Sequence, residues 1–201
     1  MGNKERSFAS CSDNVWDSIA DHVGDDGNWD GKKFTVKEPP FTVTIDVHAE
    51  AGGRSSYLAT RLRGAFINLD GFCFGVKRRT WMSDLASYFG SKDLEIGDQG
   101  FDREFVIKAN SQKEIRDLLA GDPESRKLMV DCKKIQRLEV RDHEGWFGPE
   151  FPKNVDELYL EADGRITDVE AIKTLYRIFA GALTRLCVLG SAYEGDPKIN
   201  L

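Results

Sequence analysis

Histidine, cysteine and long apolar runs are all scarce in this chain, and each shortage removes a class of activity. The three histidines, His22, His48 and His143, lie far apart. They offer little material for a histidine-rich metal centre or for a Ser-His-Asp triad, in which a base and its orienting group must meet one nucleophile. The four cysteines, Cys11, Cys73, Cys132 and Cys187, are scattered and form no CxxC pair. A zinc site or disulfide framework needs paired spacings that this pattern lacks. Cys73, Cys132 and Cys187 sit in or beside apolar segments, where a free thiol behaves as a small hydrophobe. Such usage fits a reducing, cytoplasmic setting.

No window reaches the roughly 18 apolar residues of a transmembrane helix, and the most apolar run, IFAGALTRLCVL, is broken by Arg185. MGNKERSFAS has no apolar core of the signal-peptide kind, and Arg6 stands where N-myristoylation needs Ser or Thr. Also missing are G-x-S-x-G, H-E-x-x-H, a phosphate loop and G-x-G-x-x-G after a strand. The net charge of −6 argues against broad nucleic-acid binding, which needs a dominant cationic surface.

What the chain does have is core-forming material. Its 201 residues are 40% hydrophobic and 31% charged, which suits one folded domain over residues 1–201. Residues 1–10 and 193–201 read as flexible tails. SDNVWDSIADHVG predicts a helix, with Val15, Trp16, Ile19, Ala20 and Val23 on one stripe and Gly24 as its stop. A short strand around KKFTV ends at EPP. FTVTIDVHAE alternates strictly, with Val43, Ile45, Val47 and Ala49 on one face and Thr42, Thr44, Asp46, His48 and Glu50 on the other.

A tight turn at Gly52-Gly53 would return the chain as SYLATRLRGAF, setting Val47 opposite Leu58, Ile45 opposite Thr60 and Val43 opposite Leu62. The turn INLDG then predicts a third strand, FCFGVKRR, beside the second. Phe66 would pair with Phe72, Gly64 with Phe74 and Leu62 with Val76. TWMSDLASYFG predicts a short helix with Thr80 as its cap.

Further along, FDREFVIKAN reads as a strand with Phe101, Phe105 and Ile107 on one side. SQKEIRDLLAG is a helix opened by a Ser111–Glu114 capping box, and DPESRKLMVDC is another, with Asp122 as cap and Pro123 in the first turn. IQRLEVRD and DELYLEA are strands with Leu138, Val140, Leu158 and Leu160 inward. The last helix has a Thr167–Glu170 capping box. Its stripe of Val169, Ile172, Leu175, Tyr176, Phe179, Leu183 and Leu186 runs to about Leu189. Gly181 and Ala182 are small enough for close contact with a sheet. The elements do not alternate as βα units, so the expected fold class is α+β: a curved, mainly antiparallel sheet packed against a long C-terminal helix and shorter helices.

GDQGFDREFVIKAN, with Gly97, Asp98, Phe101, Asp102, Phe105 and Lys108, resembles the GDxxFDxxFxxK signature of an uncharacterised bacterial protein family, a domain of unknown function. The NLDGF turn, the EGWFG loop and the RLCVLGSA ending fit the same resemblance. It implies a bacterial cytosolic or membrane-peripheral protein, and it carries over no catalytic residue.

Four groups of residues are candidates for chemistry. Asp26, Asn28 and Asp30, followed by Gly31, match the opening of a calcium loop, but Lys37 occupies the place of the bidentate glutamate and forfeits ligands the ion needs. The competing reading is a turn built from its favoured residues. Asp46, His48 and Glu50 share a strand face, where they could form a metal or acid/base cluster, and Arg61, Arg63, Lys77 and Arg79 are also predicted there. That face is either the solvated side of an amphipathic sheet with cross-strand ion pairs or a concavity for an anionic ligand. Asp98, Asp102 and Glu104 would suit a divalent-metal hydrolase, with Asp102 and Glu104 on one strand face, although convergent partner groups are wanting. His143, Trp146 and Phe147 lie in a loop, where aromatic residues either form a partner contact or fold back onto apolar surface. The expected function is a non-catalytic intracellular binding or scaffold domain for a protein or a small anionic ligand, with no cofactor. The alternatives are a divalent-metal-dependent hydrolase, using Asp98, Asp102 and Glu104 or the carboxylates of the Asp46 face, and a calcium-stabilised structural module using Asp26, Asn28 and Asp30.

Overall fold

A computed structural model describes residues 13–23, 29, 31–38, 41–52, 55–79, 93–142, 151–193, 195, 197–199 and 201. In chain order the elements are α1 (Asp13–Val23), β1 (Phe34–Glu38), β2 (Phe41–Gly52), β3 (Ser55–Ile67), β4 (Phe74–Arg78), α2 (Gln99–Glu104), β5 (Phe105–Ala109), α3 (Gln112–Ala120), α4 (Pro123–Asp131), β6 (Ile135–Arg141), β7 (Val155–Asp163) and α5 (Val169–Leu189). The strands form one antiparallel sheet in the order β1-β2-β3-β7-β6-β4-β5. The α+β class expected from the order of elements is the one observed. Among the described residues no helix is long and apolar enough to cross a membrane.

The alternation in β2 and β3 sets their faces as expected. Ile45, Leu62 and Val76 are fully buried on the side that meets the helices. The register, however, differs from the predicted one. Ile45 lies opposite Leu62 and Val47 opposite Thr60, and pairing runs on to Gly52 with Ser55. The hairpin therefore closes one place later than Gly52-Gly53. Moving a turn by one residue moves the pairing by two, which leaves every side chain on its own face.

The larger correction concerns β4. It does not pair with β3: β7 and β6 are inserted between them. The chain leaves β3 through a bend fixed by Asn68, whose Nδ2 donates to Phe72 O (3.2 Å) and whose Oδ1 accepts from Gly71 N (3.0 Å). The same Nδ2 donates to Asp156 of β7, which ties the bend to the strand that occupies the place beside β3. Every residue of β7 from Val155 to Ala162 is buried, and β7 is the middle strand of the seven, between β3 and β6.

FDREF is not extended either. Asp98 accepts from Phe101 N and starts the short helix α2, so Phe101 and Phe105 stack at 4.7 Å across the helix-to-strand junction. Asp102 and Glu104 consequently do not share a strand face.

The helices lie on one side of the sheet. Val15, Ile19 and Val23 of α1 are buried, and Trp16 meets Tyr176 of α5 edge-on at 5.8 Å. In α5 the cap is Asp168, whose Oδ1 accepts from Ala171 N, and not Thr167. Gly190, at φ 82°, closes the helix in the left-handed conformation. Phe179 of α5 packs directly on Gly64 of β3. A Cβ on that glycine would sit 3.1 Å from the ring, so the missing side chain is what lets the helix approach the strand. Gly181 serves a different neighbour from the expected sheet: it faces Asp122 and Ser125 at the start of α4. Asp122 caps α4 by accepting from Ser125 N at 2.9 Å, and Ser111 caps α3. Tyr193, placed by the sequence in a tail, bridges back to Ile67.

Candidate functional site

Opposite the helices, the sheet presents a face of interleaved charges. Each strand contributes by alternation alone, because a residue whose neighbours point to the core must point the other way. Asp46, Arg61, Glu161, Arg137 and Lys77 follow one another in register across β2, β3, β7, β6 and β4. The next row holds Thr44, Arg63, Tyr159, Glu139, Gly75 and Lys108, and a third sets Glu157 beside Arg141.

The pairing of signs becomes direct contact. Arg61 grips Asp46 with two parallel hydrogen bonds, Nε to Oδ1 at 2.8 Å and Nη2 to Oδ2 at 2.7 Å. Such bidentate pairs are among the strongest charge-assisted contacts. Arg63 donates from Nε to Glu157 Oε2 at 2.9 Å. Glu161 collects donors from three strands: Arg137 Nε (2.9 Å), Tyr159 OH (2.7 Å) and Tyr57 OH (3.2 Å). Arg141 bonds to Glu139 and lies 3.4 Å above the Tyr159 ring centroid, while Arg137 approaches the same ring at 5.1 Å. The ring thus holds both guanidinium planes.

Much of this face is withdrawn from water. Glu157 and Glu161 are fully buried, Lys77 is 5% exposed and Arg63 is 8% exposed. The solvated side expected from the alternation is therefore a dry one, although its cross-strand ion pairs are present. Burial pushes against charge, and the partners decide the outcome. For Arg137, burial alone would favour deprotonation, but Glu139, Tyr159 and Glu161 outweigh it and hold the guanidinium firmly charged. Burial would raise Glu139, yet Arg141, Arg137 and Lys77 keep its carboxyl below the usual range. Burial, with the Glu161 charge next, pushes the Tyr159 phenol well up, so it remains a hydrogen-bond donor. Glu139 therefore stays ionised as the partner of these cations. The arrangement can orient and recognise charge.

Of the residues predicted for this face, Asp46, Arg61, Arg63 and Lys77 are brought into one lattice. His48 is exposed at its outer end, opposite Ala59. Arg79 lies past the end of β4 at the rim. It is exposed, bonds to Asp102 O at 3.0 Å, and sits 3.7 Å from Asp93, which also holds Lys108 at 3.0 Å. Glu139, Glu157, Tyr159, Glu161, Arg137 and Arg141 were not anticipated. Their signal was nonetheless present: in IQRLEVRD and DELYLEAD the positions between the inward leucines carry complementary charges.

The carboxylates proposed for a hydrolase are dispersed into structural work. Asp98 caps α2, and Asp102 accepts from Ile96 N and Gly97 N. Glu104 accepts from Lys133 and Arg78, the hydrogen bond from Lys133 being foremost in holding its carboxyl below the usual range. Asp26, Asn28 and Asp30, and likewise His143, Trp146 and Phe147, lie outside the described residues. Gly31, at φ 81°, accepts from Val47 N of β2 through its carbonyl at 3.1 Å. Among the described residues no group of three or more His, Cys, Asp or Glu is placed to hold a metal ion.

No family model, curated protein or solved structure matches this chain.

Proposed function

We propose that this protein is a non-catalytic binding domain whose charged sheet face takes an anionic ligand or an acidic protein surface. The observation that carries the reading is the row Asp46, Arg61, Glu161, Arg137 and Lys77, held in register across five neighbouring strands and largely dry. Ion pairs withdrawn from water contribute little net stability, because desolvation offsets their attraction. A sheet kept for stability alone would carry apolar residues there. Arg61, Arg63, Lys77, Lys108, Arg137 and Arg141 outnumber Asp46, Glu139, Glu157, Glu161 and the Asp93 that holds Lys108, so the face as described favours a negative partner. The GDxxFDxxFxxK resemblance and the scattered thiols support a bacterial protein of the cytoplasm.

The reading is tested by calorimetric titration with citrate, inorganic phosphate and an oligoglutamate peptide, with oligolysine as the opposite-sign control. At least one anion should bind and weaken with added salt, and Arg61→Gln/Arg63→Gln should reduce binding of the peptide about ten-fold. Failure of all three anions would overturn the reading. So would peptide binding that the double variant leaves unchanged.

A further inference from the structure

Within that face the cations are not evenly spread. From Asp46 to Arg137 the row alternates in sign, but its last step sets Arg137 directly opposite Lys77 on adjacent strands. Like charges facing one another across a sheet destabilise it, so an alternating row that ends this way has a break in its pattern. Beside this pair, in the next row of β6 and opposite Gly75, stands Glu139, to which Arg141 bonds and which Arg137 approaches at 3.8 Å. Two carboxylates, Glu139 and the Glu161 that Arg137 holds, stand here against the three cations Arg137, Arg141 and Lys77. Both arginines lie over the Tyr159 ring, Arg141 the closer of the two. The site thus has positioned donors and little freedom to lose on binding.

We propose that this end of the face, around Lys77, Arg137 and Arg141, is the subsite for a compact oxyanion, a phosphate or carboxylate group carried by the ligand. The proposal rests on the reading of the face as an anion-binding surface and gives it a location. Each of these cations is engaged already. A guanidinium offers five N–H donors and an ammonium three, so the oxyanion would add to the partners present. The low exposure of Lys77 favours a small group over a broad surface and strengthens the attraction it would feel.

The test is calorimetry at constant ionic strength with inorganic phosphate and with citrate, on wild type and on Lys77→Gln, Arg141→Gln and Glu139→Gln. Binding of one probe and not the other tells phosphate from carboxylate. The two cation variants should each weaken it about ten-fold or more. Glu139→Gln, which removes a competing carboxylate, should tighten it. Arg141→Gln stands in if Lys77→Gln does not fold, as judged by circular dichroism. If neither small anion binds while oligoglutamate binds through Arg61 and Arg63, the placement falls and the wider reading stands. The placement also falls if phosphate or citrate binds and all three variants match wild type. If no anion binds at all, both fall.

Discussion

Replacing Glu161 with methionine removes the group on which β3, β6 and β7 converge. The carboxylate is fully buried and accepts from Arg137, Tyr159 and Tyr57. Its loss leaves the Arg137 guanidinium, only 20% exposed, without its closest partner. Two unit charges about 4 Å apart attract by about 4 kcal/mol at an effective dielectric constant of about 20, and breaking a buried pair from one side costs about 3–5 kcal/mol. The two tyrosine hydroxyls lose an acceptor, at about 1 kcal/mol each. A chain of this length loses about 2–4 °C of melting temperature per kcal/mol, so Glu161→Met should melt on the order of 10 °C lower. The double variant Glu161→Met/Arg137→Met should recover part of that loss, because it leaves no unpaired charge. Urea denaturation of the four proteins in the cycle gives the coupling directly. A single variant within about 1 kcal/mol of wild type, or a double variant equal to the sum of the singles, would refute the reasoning.

Three further outcomes are expected. Phe179→Ala should cost about 3–5 kcal/mol, since the ring is fully buried over Gly64; an unchanged melting temperature would contradict the packing. Gly181→Ala should cost about 1–3 kcal/mol, because the new methyl would meet Asp122 and lie 2.6 Å from Ser125 Oγ; denaturant melts showing a neutral or stabilised variant would mean that α4 and α5 are not so close. Asp156 is held above the usual carboxylate range by burial first, against the hydrogen bond from Asn68, with Asp142 and Asp70 adding to the rise. The folded state therefore binds this proton more tightly than the unfolded chain. Its stabilising contribution is complete below the unfolded value of about 3.9 and is lost as pH climbs through the raised folded value. Asp156→Asn should match wild type near pH 3 and be the more stable above that window; parallel pH profiles from denaturant melts would contradict this.

The strand faces were legible because period-two alternation is local. Ile45, Leu62 and Val76 could be assigned inward from their neighbours alone, and so could the outward phase of Asp46, Arg61, Arg63 and Lys77. Helix ends with side-chain caps were legible for the same reason, as at Ser111 and Asp122. Strand order was not. Placing β7 between β3 and β6 depends on pairings between residues about a hundred positions apart, and nothing near Phe66 or Phe72 reports them. The charged neighbours of Arg63 and Lys77 were hidden with it, since Glu157, which Arg63 holds, comes with β7, and Arg137, which faces Lys77, comes with β6. The dryness of the face was illegible too, because alternation tells which way a side chain points and not whether water reaches it.

The most direct measurement is a ¹⁵N-resolved NMR titration of the whole chain with inorganic phosphate and then with oligoglutamate, following backbone amides and arginine Nε–H signals together. The account predicts shifts centred on Arg61, Arg63, Arg137 and Arg141 and on the amides of β3, β7, β6 and β4, with the exposed side of α5 silent. Shifts confined to the helical side, or no shift at millimolar anion, would contradict it.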